Sequence, residues 1–89
     1  MEGTHELKSP KDHFEAVEFG YKTFECRKND RDFQLGDTLI LKEIILPANA
    51  KDNYIHTHRT LKVEVTHILH PHEQNGIMEG FVVMAIKLL

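Results

Sequence analysis

The sequence is poor in the residues that staple small secreted or metal-held proteins together. It has one cysteine, Cys26, no tryptophan and three prolines among 89 residues. A single thiol closes no internal disulfide and supports no Cys-rich zinc framework, which points to a reducing compartment. No apolar run approaches the ~20 residues that a membrane-spanning helix requires, and residues 1–6 lack the basic-then-apolar layout of a secretory signal. A soluble, cytoplasmic protein with no membrane association is therefore expected. Neither sign of charge dominates. Eleven Lys and Arg against 14 Asp and Glu leave a formal −3, unlike the basic body of a non-specific duplex binder, so any polyanion site must be local. Phosphate-loop glycines, a nucleophile elbow and a dinucleotide fingerprint are all missing, and no cofactor is expected. Repeats, low-complexity tracts and linker-like stretches are missing too. With 40% hydrophobic and 28% charged residues, residues 1–89 should form one domain around one modest core.

What is present reads as one early helix and about five strands. His5-Glu6-Leu7-Lys8 is a short extended segment. Ser9-Pro10-Lys11-Asp12 then has the chemistry of a helix start, with Ser9 as N-cap, Pro10 at the first helical position and Asp12 reaching back as in a capping box. Phe14, Ala16 and Val17 supply an apolar stripe, and Gly20 suits the left-handed position that ends a helix. After Gly20 the period changes to two, which predicts a strand over 21–28 with Phe24 and Cys26 on the apolar face and Thr23, Glu25 and Arg27 on the other. Residues 29–32 are turn chemistry. Residues 38–46 form a long β-branched strand, 47–53 a loop, 60–69 an alternating strand and 81–89 a near-continuous apolar strand. Short adjacent strands with a single helix favour an α+β fold, a small and nearly closed β barrel with the helix packed at one end.

The block Gly20-Tyr21-Lys22-Thr23-Phe24-Glu25-Cys26-Arg27 is a G-x-K-x-x-E-x-R arrangement at the helix-to-strand junction. Glu25 and Arg27 lie two apart on one strand face and can orient each other, while Lys22 sits at the mouth beside the helix end. Such a lysine suits a phosphate contact or, less often, a nucleophilic amine. Residues 20–31 hold Lys22, Arg27, Lys28 and Arg31 against Glu25 and Asp30, a basic island in an acidic chain. Alternating charges on a strand are also what a solvated face looks like, and spacing alone favours that plainer reading.

Together with the preceding 5–8 segment, the following 27–33 segment and Gly36-Asp37, this block resembles the ASCH (activating signal cointegrator homology) domains of the PUA-like superfamily, and among them a bacterial and phage subfamily of stand-alone domains. The resemblance carries specific motifs over about 5–43 and continues to residue 89 as strand pattern. It implies a PUA-like pseudo-barrel with a cleft between the first helix and the barrel that binds RNA or a nucleotide. Lys22, Glu25 and Arg27 would line that cleft, Gly20 and Tyr21 would border it with close backbone approach at the glycine, and His5, Lys8, Asn29 and Arg31 would form its rim. Phe33 and Gly36-Asp37 would be structural. Some small ASCH proteins are amidohydrolases of acylated cytidine, using the motif lysine, a threonine and a downstream glutamate, and ribonuclease activity is also reported among them. Here the lysine is Lys22, but the threonine position is Glu25, and the downstream acid would be Glu73 or Glu79. A catalytic role for Lys22 and Glu25 is thus an alternative, and a protein-interaction module with an exposed apolar patch is another.

Histidines and aromatics complete the inventory. His56-x-His58 with His67, His70 and His72 invites a metal hypothesis, but these residues flank loops without placed Asp or Cys partners, so no metal site is expected. Among the aromatics, Phe14, Phe24, Phe33 and Phe81 fit core positions, leaving Tyr21 and Tyr54 as exposed platforms, with Phe19 open. Cys26, alternating with Phe24, should be buried. Few platforms argue against extended stacking along a strand and favour recognition of one or two nucleotides.

Overall fold

The computed structural model describes residues 3–47 and 53–89. The expected loop at 47–53 lies largely outside them. The chain runs β1 (Thr4–Pro10), α1 (Lys11–Glu18), β2 (Phe24–Lys28), β3 (Thr38–Ile45), β4 (Ile55–Leu69), a 3-10 turn (Pro71–Glu73) and β5 (Phe81–Leu88). The strands form one mixed sheet in the order β1-β3-β4-β5-β2. β1 pairs with β3 in parallel, and the other neighbours are antiparallel. The architecture is an α+β half-barrel with one short helix against the sheet. No helix among the described residues is long and apolar enough to cross a membrane.

The concave face carries the core. Leu7, Leu39, Leu41, Val63, Val65, Val82, Met84 and Ile86 point inward, and Phe14 and Val17 of α1 close over them. The sheet does not close by a backbone ladder. Arginine side chains bridge its two edges instead: Arg27 Nη2 donates to the Lys8 carbonyl at 2.8 Å, and Arg31 Nη1 donates to that of Glu6. Carbonyls two residues apart on a strand leave the same edge, so both arginines serve the side of β1 that β3 does not occupy.

The helix start differs from the expectation. β1 continues through Ser9 and Pro10, which pair with Glu43 and Ile44, and the helix begins at Lys11 without a side-chain cap. Ser9 is buried on the concave face, its Oγ without a hydrogen-bond partner. Proline has no N–H to extend a ladder, and its fixed φ, here −55°, suits the turn into α1. The helix end matches the sequence. Gly20 has φ +81°, its N–H reaches the Val17 carbonyl, and the Tyr21 N–H reaches that of Ala16, the paired bonds of a Schellman motif.

β2 has the expected period of two but the opposite facing. Glu25 is 2% exposed and Arg27 is half-buried, while Phe24 is 50% exposed and Cys26 is exposed. Opposite them on β5, Glu25 and Arg27 pair with the buried Met84 and Val82, whereas Phe24 and Cys26 pair with Ala85 and Val83 on the convex side. A carboxylate occupies the inner face beside two cations, which offset the penalty for burying its charge. Phe81 also lies on the convex side, only half-buried. β4 starts at Ile55, five residues before the strand read from the sequence, since Ile55 and His56 pair with Ile45 and Ile44.

Candidate functional site: a charged cleft between the helix and the second strand

The Schellman turn delivers the chain into β2 with Lys22 beside the strand's inward face, and Glu25 and Arg27 then follow at alternate positions. The three side chains converge. Arg27 Nε donates to Glu25 Oε2 at 2.8 Å, and Lys22 Nζ donates to Oε1 at 3.4 Å. Lys22 Nζ also stands 3.2 Å from His13 Nδ1, which accepts when that imidazole carries its proton on Nε2. The carboxylate thus fixes one cation on each of its oxygens, and the trio keeps a net positive charge.

A hollow of about 220 Å³ opens beside the trio, lined by Pro10 and His13 of the β1–α1 junction and by Lys22, Glu25, Cys26 and Arg27. Lys22 also borders an apolar hollow of about 270 Å³ with Val17, Gly20, Ile86 and Leu88. Phe24 lies beside Lys22, whose Nζ is 5.5 Å from its ring centre, and Tyr21 in the preceding turn is 86% exposed. The arrangement offers an anion two cations and a base the exposed Phe24 ring.

The remaining residues expected at the site divide. Lys8 and Arg31 stand along the seam between β1 and β2, beside Arg27. His5 is engaged elsewhere: its Nε2 bonds Asp37 Oδ2 at 2.8 Å and its ring packs edge-on against Phe33. Asp37 also accepts the Gly3 and Gln34 N–H groups. Burial pushes the Asp37 carboxyl up, but those two N–H donors and His5 outweigh it and hold it below its ordinary value. Asn29 accepts the Phe33 N–H and pins the turn. At Gly20 a Cβ would meet nothing within 4 Å, so the residue answers a backbone requirement and not a close approach.

Of the proposed downstream acids, Glu73 accepts the His70 N–H and caps the 3-10 turn, and that hydrogen bond holds its carboxyl below the ordinary value. Glu79 is exposed. His56 lies edge-on to Tyr54, and His70 stacks on His72. Among the described residues, no three His, Cys, Asp or Glu side chains converge as metal ligands would.

Sequence reasoning missed His13, whose role depends on where α1 sits beside Lys22, and a further buried carboxylate. Glu43 is 3% exposed, takes the Thr57 hydroxyl at 2.6 Å and has Arg59 3.6 Å from its other oxygen. A register irregularity between Lys42 and Ile44 accompanies this cluster, and His58 there has φ +69°. Bulges re-aim side chains in this way, and no spacing in the sequence announces one.

A half-barrel with one helix, bearing a cation pair on a buried carboxylate, is the class of protein that fold and site define. The chain belongs to the family described as a domain of unknown function, DUF3850, whose model matches residues 4–86. No curated protein matches the chain.

Proposed function

We propose that the protein is a PUA-like, ASCH-type domain that binds RNA or a nucleotide in the cleft between α1 and β2. The observation that carries this reading is the convergence of Lys22 and Arg27 on the buried Glu25 at the wall of an open hollow. Glu25 is buried, so these pairs are not the solvated surface contacts that contribute little. Lys22 and Arg27 would hold phosphate or a base edge, Glu25 would orient them, and Tyr21 and Phe24 would offer stacking surfaces. Among the described residues Lys22 Nζ is bonded to a carboxylate and an imidazole and to no hydroxyl, which supports binding over acyl transfer. A single free thiol is in keeping with a reducing, cytoplasmic setting.

Lys22→Ala and Arg27→Ala should each weaken binding of a short RNA and flatten its salt dependence, by about 0.7 in the logarithmic slope for each phosphate no longer neutralised. Filter binding across a salt series measures both, and wild-type affinity in both variants would end the proposal. Turnover of an acylated cytidine by the wild type, abolished in Lys22→Ala, would instead favour the amidohydrolase reading.

One observation favours a second reading. The convex side carries an apolar hollow of about 270 Å³ lined by Cys26, Ile77, Met78, Phe81 and Val83, the kind of patch a protein partner covers.

A further inference from the structure

The edges of the half-barrel bound another hollow, which the cleft reading does not use. It lies along the seam between β1 and β2, measures about 280 Å³, and is lined by Lys8, Arg27, Arg31, Lys42 and His56, with Glu6 and Leu7 beside them. Topology assembles these cations from three places. Lys8 and Lys42 are register partners on the parallel β1–β3 pair. Arg27 comes from β2 and Arg31 from the turn that follows it, and each reaches across to a β1 carbonyl.

A guanidinium with one N–H on a carbonyl keeps further donors of its five for a ligand. Lys42 is paired with Glu6 at 3.1 Å, but the Lys8 ammonium faces the Tyr54 ring at 4.5 Å. With Arg27 held by Glu25 and Lys42 by Glu6, Lys8 and Arg31 still leave this seam net positive in a chain whose net charge is −3. Such a concave basic surface raises the local concentration of anions.

Arg27 lines both this seam and the cleft, so the two hollows are neighbours with a shared wall. Each lies just below the ~300–1,000 Å³ typical of sites that enclose a whole small molecule. Each therefore suits one unit of a chain molecule. Exposed rings stand at either end, Phe24 by Lys22 and Tyr54 by Lys8. Rings accept any base, whereas a stacked duplex would bring none to them.

We propose that the seam is a phosphate subsite continuous with the cleft, and that the ligand is a single-stranded oligonucleotide with one nucleotide in the cleft and the neighbouring phosphodiester in the seam. The proposal rests on the nucleotide reading of the cleft and adds the class of ligand. Fluorescence anisotropy with labelled hexauridylate and hexathymidylate, and competition by uridine monophosphate, test it on the wild type, a Lys8→Ala/Lys42→Ala double variant and Lys22→Ala.

The double variant should bind the hexamers about tenfold more weakly, with a salt slope smaller by about 0.7 for the one phosphodiester no longer neutralised. Its affinity for the mononucleotide, whose single phosphate the cleft takes, should stay within about twofold of wild type. A preference between the two hexamers distinguishes RNA from DNA as the source of the phosphodiester. Unchanged hexamer affinity and slope in the double variant would overturn the seam. So would equally tight binding of hexaglutamate, which would mark a general polyanion surface. Weakened hexamer binding in the double variant, with undiminished mononucleotide binding in Lys22→Ala, would overturn the cleft reading and leave the seam standing.

Discussion

At the scale of single residues, Glu25 decides what the cleft is. Its burial would be costly alone, and Arg27 on one oxygen and Lys22 on the other offset that cost. Glu25→Gln should lower unfolding stability by about 1–3 kcal/mol in urea titrations, because it leaves two cations facing each other across a neutral amide. No loss of stability would mean that the pairs are as weak as exposed ones. The alternation of this strand was legible in the sequence, but its facing was not. Phe24 and Cys26 are the apolar members, and hydropathy assigns apolar residues to the core; only the cations supplied by Lys22 and Arg27 make the reverse arrangement stable. Asp37 carries a pH dependence. Its folded-state carboxyl lies below the ordinary value, so the stability it contributes is present above the unfolded value and is lost as pH falls through the folded one. Asp37→Asn should therefore cost about 1–3 kcal/mol near neutrality, with the difference from wild type shrinking towards zero in acid. A difference that stays constant with pH would contradict that role for the carboxylate.

At the scale of elements, the junction between α1 and β2 positions the site, and its signal was local enough to read. Gly20 at φ +81° lets the last carbonyls of α1 bond the turn and sends Lys22 to the cleft mouth. Since a Cβ there meets open space, Gly20→Ala isolates backbone strain from crowding. It should destabilise the fold by about 1–2 kcal/mol in thermal or chemical denaturation. An unchanged midpoint would show that the left-handed turn is not required. The other end of the helix was misread for a physical reason: a serine before a proline has helix-start chemistry, yet pairing with β3 holds Ser9 and Pro10 in the strand. Likewise, the first residues of β4 alternate no apolar side chains, and only their ladder with β3 makes them a strand.

At the scale of the whole molecule, five strands and one helix follow from sequence periodicity, but the order β1-β3-β4-β5-β2 and the parallel β1–β3 pair do not. Those long-range pairings bring Lys42 and His56 beside Lys8, and pack α1 on β1 and β3 where His13 meets Lys22. The net charge of −3 hides this local clustering, which gathers Lys8, Arg27, Arg31 and Lys42 at the seam while an apolar hollow lies on the convex face. The central claim is that the cleft between α1 and β2 is where a nucleotide binds. Amide chemical-shift mapping during titration with uridine monophosphate tests it most directly. Saturable shifts concentrated at His13, Lys22, Glu25, Cys26 and Arg27, and reduced in Lys22→Ala, are the expected result; shifts confined to Ile77, Met78 and Phe81, or none at millimolar ligand, would contradict it.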